Sequence, residues 1–132
     1  MASTAFATKH AAGAPDAIAP DGSEVRILCG VARGGLALFS LPPKAVAKAV
    51  AHRTVEEIWY VVSGHGRIWR RLGAQEETVA LASGVSVTIP TGTHFQFRCD
   101  GSESLTVVGT TMPPWPGPDE AYAVAGLWEP TV

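Results

Sequence analysis

The residues best able to do chemistry lie in Val50–Gly64, Val-Ala-His-Arg-Thr-Val-Glu-Glu-Ile-Trp-Tyr-Val-Val-Ser-Gly. One histidine, His52, and two carboxylates, Glu56 and Glu57, stand just ahead of a dense apolar run. A neutral imidazole and a carboxylate can share a metal ion, or the carboxylate can orient the imidazole for proton transfer. Histidine suits the second role because its ordinary pKa lies close to neutrality. Burial would lower the pKa of His52 or of nearby Lys48, and attraction to Glu57 would raise it. A metal of the two-histidine, one-carboxylate kind needs a third ligand, and His94 is the imidazole available to complete a set with His52 and Glu57.

Other chemistries find little support. Glu56 and Glu57 alternate on one strand, so they point apart and do not form an acid–base couple. They also stand too close for the paired carboxylates of a glycosidase. Ser63-Gly64 lacks the flanking glycine pattern and following helix of a nucleophile elbow. Gly34-Gly35 is too isolated for a phosphate loop. Cys29 and Cys99 have no metal-ligand spacing and read as free thiols. His65, between Gly64 and Gly66, reads as an exposed turn residue.

The elements that must position these groups are short strands. Glu24–Val31 and Leu36–Leu41 flank an Ala-Arg-Gly-Gly turn, and Pro42-Pro43 ends the second. Val46–Arg53 is ambiguous between helix and strand; as a strand it puts Val46, Lys48, Val50 and His52 on one face. Glu57–Ser63 reads as a strand buried on both sides. Gly66–Leu72, Thr78–Leu81, Val85–Ile89, His94–Cys99 and Leu105–Thr110 follow, separated by Gly, Ser and Asp signals. This spacing, with no convincing helix, predicts an all-β sandwich or barrel. On His94–Cys99 the apolar set is Phe95, Phe97 and Cys99, which turns His94, Gln96 and Arg98 outward. A bulge after Gly92 would rotate His94 inward.

Two segments resemble the paired motifs of the cupin superfamily. Glu57 and Gly64 stand at that family's glutamate and closing glycine, and His52 at its second histidine. Gly84, Pro90 and Gly92 match the scaffold half of the second motif. Lys44, Val50, Phe95 and Cys99 replace the opening glycine, the first and third histidines and the asparagine. The resemblance covers roughly residues 25–111. It implies a cupin-like double-stranded β-helix, or jelly-roll barrel, of short antiparallel strands over 21–111. It also implies that the strand ending at His52 lies beside the one starting at Glu57. Phe95, Phe97 and Trp59 would then floor an apolar pocket, with Lys48, Val50 and Cys99 also lining it.

The activity so implied is proton-transfer chemistry on a small molecule, of the isomerase, lyase or dehydratase type, with His52 as acid/base and Glu57 as its orienter. The alternatives are a metal-dependent cupin of the dioxygenase or decarboxylase type, and a non-catalytic ligand-binding cupin. The first would hold Mn, Fe, Ni or Zn through His52, Glu57 and His94. A third alternative is an interaction module acting through the C-terminal tail. The resemblance further implies a homodimer.

Composition bounds the rest. The 132 residues suit one domain, 46% hydrophobic and 17% charged, which marks a globular chain. A net charge of −2 offers no electrostatic footprint for nucleic acid. Arg67, Arg70 and Arg71 read as a solvated strand face. The N-terminus lacks the basic start and apolar run of a signal peptide, and no stretch suffices to cross a membrane; the expected location is cytoplasmic. Residues 1–20 read as a flexible Ala-rich lead-in or strap. Residues 112–132 read as an extended Pro/Trp-rich tail, pinned to the barrel by Trp115 and Trp128.

Overall fold

The computed structural model describes residues 5–132, and among them it forms eleven strands and no helix. The strands are β1 (Ala17–Ile18), β2 (Glu24–Val31), β3 (Gly34–Leu41), β4 (Val50–His52), β5 (Glu56–Ser63), β6 (His65–Leu72), β7 (Gln75–Ala82), β8 (Ser86–Ile89), β9 (His94–Cys99), β10 (Leu105–Met112) and β11 (Ala121–Ala123). They form two sheets, β1-β2-β3-β10-β5-β8 and β11-β4-β9-β6-β7, with every pairing antiparallel. This is the all-β jelly-roll expected.

The core lies between the sheets and includes Leu41, Trp59, Val61, Ile68, Phe95, Phe97 and Val107. Alternation along each strand delivers these side chains inward. Gly109 on β10 leaves room for the Trp59 ring: a Cβ there would stand 2.9 Å from Trp59 and 2.8 Å from Phe39. Gly64 makes the β5–β6 turn at φ +90°, where a Cβ would also strike the Ser104 carbonyl; glycine is the residue this turn accepts.

Several expectations are corrected. β5 is buried on one face only: Glu57, Trp59 and Val61 turn inward, while Ile58, Tyr60 and Val62 are 47–49% exposed. An unbroken apolar run is what a doubly buried strand needs, but among the described residues nothing buries this strand's outer face. The ambiguous Val46–Arg53 stretch resolves into a bridge from Val46 to Arg98 and the three-residue β4. Strands also form at both ends of the chain, where none was expected. In the Ala-rich lead-in, β1 pairs with β2; beside it Asp16 accepts from the Ile27 amide and Arg26 donates to the Ala12 carbonyl. In the tail, β11 pairs with β4.

Beyond β11 the tail lies across the outer face of the five-stranded sheet. Gln96 holds it there: its amide donates to the carbonyls of Ala47 and Trp128 and accepts from the amides of Leu127 and Trp128. The Trp128 ring stands against the guanidinium groups of Arg67 and Arg98, 5.4 and 5.3 Å away. Asp100 pairs with both arginines. Arg70 turns inward rather than to solvent, donating to the Thr88 carbonyl of β8 and to Glu77, so the basic spot is only partly a solvated face. No helix among the described residues is long and apolar enough to cross a membrane.

Candidate functional site

His52 ends β4 and Glu57 is the second residue of β5. The three-residue bend between the two strands, Arg53 to Val55, folds the two side chains together inside the barrel. His52 is 5% exposed and Glu57 4%, with Nδ1 of the imidazole 3.1 Å from Oε2 of the carboxylate. The contact is close but not aligned as a hydrogen bond, and Nδ1 has no other hydrogen-bond partner among the described residues. The other carboxylate oxygen accepts from the indole N–H of Trp59 at 3.1 Å, two residues on and therefore on the same strand face.

Burial acts on both groups in the direction of neutrality. It lifts the Glu57 carboxyl to about 7, against the Trp59 hydrogen bond and with help from the buried carboxylate Asp21. It lowers His52 to about 4, opposed by the negative charge of Glu120. Near neutral pH the pair therefore holds a neutral imidazole beside a carboxyl group that is itself titrating.

The tail completes this site, and the sequence offered no spacing signal for it. Glu120 accepts from the backbone amides of Thr54 and Val55 at 2.8 and 3.0 Å and from the Thr54 hydroxyl. Burial opposes its ionisation, but these hydrogen bonds and His52 hold its pKa below the ordinary value. The Glu120 carbonyl accepts from the Arg53 amide and the Asp119 carbonyl from the Arg53 side chain. The bend that carries His52 and Glu57 is thus clamped from outside. Trp115 sets its ring edge-on to His52 at 5.1 Å, and Phe95 does the same from within at 5.3 Å. An open cleft of about 350 Å³ lies under this strap, lined by Arg53, Thr54 and Pro116 to Glu120.

The remaining expected site residues fall elsewhere. Val50, Trp59, Phe95, Phe97 and Cys99 are buried in the core. Trp59 meets Phe95 and Phe97 edge-on at 5.9 and 4.9 Å and stacks on Phe39 at 5.7 Å. These rings pack against one another in the core beside His52. Lys48 is exposed and does not join them. The Cys99 thiol turns to the Glu103 carbonyl, and both cysteines are free.

His94 lies on the outward face of β9, opposite Arg71, whose guanidinium is 3.3 Å from its Nδ1. The set of His52, Glu57 and His94 is therefore not brought together. Among the described residues no group of three or more His, Cys, Asp or Glu gathers as a metal site. Two donors, one already facing the other, do not fit a three-ligand centre.

No curated protein matches the chain. Solved structures do. Oxalate decarboxylase of Bacillus subtilis, in its structure at pH 4.6, superposes with a TM-score of 0.67 at 18% identity, over 81% of this chain and 29% of its own. The capsular polysaccharide assembling protein CapF of Staphylococcus aureus gives 0.64 at 19%, over 77% and 32%. The BH2720 protein of Bacillus halodurans gives 0.63 at 19%, over 69% and 70%. This chain thus spans about a third or less of the first two proteins, and at these identities the likeness shows the fold alone. The Bacillus subtilis oxalate decarboxylase carries Mn(II) centres; the donors expected to hold a metal in this chain are not assembled among its described residues. The sequence itself matches the Cupin domain family over residues 37–110. That match runs from β3 through β10, takes in more than half of the chain, and coincides with the barrel that carries His52 and Glu57: the chain belongs to the cupin family.

Proposed function

We propose that this cupin is an enzyme acting on a small organic molecule by proton transfer, of the isomerase, lyase or dehydratase type, through His52 and Glu57. The observation that carries this reading is the buried 3.1 Å apposition of imidazole and carboxylate. Burial shifts both groups toward their neutral forms, which keeps the proton on Glu57 rather than on His52. With Glu57 titrating at about 7 and His52 at about 4, Glu57 is the group that gives and takes the proton near neutral pH, and His52 stays a neutral imidazole beside it. The expected roles, His52 as acid/base and Glu57 as orienter, are therefore exchanged in this reading. The molecule would enter by the cleft beside the Arg53–Val55 bend, whose volume falls in the range of small-molecule sites; its lining takes in Arg53, Thr54 and Glu120 but neither His52 nor Glu57, so the strap over the pair would have to part for contact. The working assembly is a homodimer.

A thermal-shift screen of small organic acids, ketones and cyclic metabolites identifies the ligand, and turnover follows on the hits. His52→Ala and Glu57→Gln should each reduce turnover at least ~100-fold, the usual contribution of a positioned acid or base, while leaving the fold intact by circular dichroism. Unchanged rates would remove both residues from the reaction. A ligand that raises Tm without being consumed would instead make the cleft a binding site. Stoichiometric Mn, Fe, Ni or Zn in the purified protein would favour metal-dependent chemistry over this one.

A further inference from the structure

A second set of polar groups gathers where the terminal strands of the two sheets, β7 and β8, come together. A cavity of about 60 Å³ opens there, and Arg70, Leu72, Glu77, Pro90 and Thr93 are among the residues that line it. It shares no lining residue with the cleft beside the Arg53–Val55 bend. Arg70 stands opposite Phe95 in the β6–β9 register. Thr93 precedes Phe95 by two residues, so all three side chains share the inner face. Thr93 is 2% exposed.

Two polar atoms of this wall are unused. Buried polar side-chain atoms almost always find a partner. Among the described residues three do not: His52 Nδ1, which has the Glu57 carboxylate beside it, Arg70 Nε and Thr93 Oγ1. The last two belong to residues of this one cavity. The terminal nitrogens of Arg70 are engaged, donating to the Thr88 carbonyl at 2.8 Å and to Glu77 at 2.6 Å. Those bonds fix the plane of the guanidinium and leave its Nε–H without an acceptor.

We propose that this cavity binds a small carboxylate, held by the Arg70 Nε–H and the Thr93 hydroxyl. Three features select that chemistry. A guanidinium offers donors and no acceptor, so the ligand atom that meets it must accept. Arginine also carries a fixed positive charge, which favours a carboxylate over a neutral carbonyl. Glu77 offsets that charge only in part, since its side chain is 54% exposed against 16% for Arg70 and water screens it. Size is the third feature: about 60 Å³, against the ~300 Å³ at which drug-sized pockets begin, admits a group of a few heavy atoms. Leu72, 42% exposed, and Glu77 form the outer wall, and these surface side chains yield as the ligand reaches the buried donors. The site stands whether or not His52 and Glu57 transfer a proton.

Acetate is the probe, titrated at constant ionic strength into the full chain carrying isotope-labelled arginine. The Arg70 Nε–H resonance, assigned through its side-chain couplings, should shift saturably with a Kd of ~1–10 mM, the affinity open to a ligand of so few heavy atoms. The Arg67 Nε–H, already bonded to Asp100, should not move. Thr93→Val keeps the side-chain shape and removes the hydroxyl, and should weaken binding about tenfold. An Arg70 resonance that ignores acetate would leave these donors to water and overturn the site. An equal response to acetamide, the neutral analogue, or tighter binding of inorganic phosphate would overturn the carboxylate class. Undiminished acetate binding by Thr93→Val would overturn the assigned pair of donors.

Discussion

Glu57 and His52 are moved in opposite directions on the pH scale by one cause, loss of water, and this makes their effects on stability separable. Unfolded, Glu57 ionises near its ordinary 4.5; folded, at about 7. Between those values the unfolded chain gives up a proton the native state keeps, so the contribution of Glu57 falls as pH rises from about 4.5 to 7. His52 runs the other way. Its folded value is about 4 against an ordinary 6.5, so its contribution falls as pH drops from about 6.5 to 4. Glu57→Gln keeps an acceptor for the Trp59 indole and removes the first effect. Relative to wild type it should gain stability between about pH 4.5 and about pH 8, by at most about 3 kcal/mol at ~1.4 kcal/mol per pH unit. Denaturant unfolding at the two pH values measures this, and an unchanged difference would mean that Glu57 is ionised in the native state.

At the scale of elements, the bend Arg53 to Val55 is the hinge of the site, and Glu120 is what holds it. Glu120→Ala would strip hydrogen-bond acceptors from two backbone amides and a hydroxyl. Hydrogen bonds to a charged group are worth ~1.5–3 kcal/mol each, less whatever water recovers, so a loss of about 2–4 kcal/mol is expected in thermal or urea unfolding. The same change removes the charge that favours protonated His52, so its titration in an NMR experiment should move further below its value of about 4. A loss of stability with no change in that titration would make Glu120 a structural clamp only. Trp115 and Glu120 were invisible as site residues because their parts depend on where a Pro-rich segment happens to cross the barrel. Its composition predicts an extended path but no direction.

At the scale of the whole molecule, Gln96 joins the tail to the barrel. It sits on the outward face of β9 yet is 1% exposed, because the tail covers it. Gln96→Leu would leave the carbonyls of Ala47 and Trp128 and the amides of Leu127 and Trp128 without this partner. At ~1–3 kcal/mol for a buried group left unsatisfied, Tm should fall by several degrees with faster proteolysis of 124–132. A cut pattern like the wild type's would show the tail held by Trp128 instead. The strand parity that turned Gln96 outward was legible, as was the outward turn of His94 beside it. Both follow from the period of two, which a sequence displays directly.

What the sequence determined by itself is therefore whatever local alternation and turn chemistry decide. That includes the strand series, the glycine turns, Glu56 pointing away from Glu57, the inward set Phe95, Phe97 and Cys99, and membership of a barrel family through Glu57, Gly64, Gly84, Pro90 and Gly92. Tertiary structure alone decided what depends on which surface covers which. Among the described residues the outer face of β5 stays half-exposed although its sequence reads as doubly buried, and Lys48 points to solvent. Most of all, burial by distant residues turned an ordinary histidine and glutamate into a neutral pair. Desolvation is summed over neighbours far apart in the chain, and no local pattern records that sum.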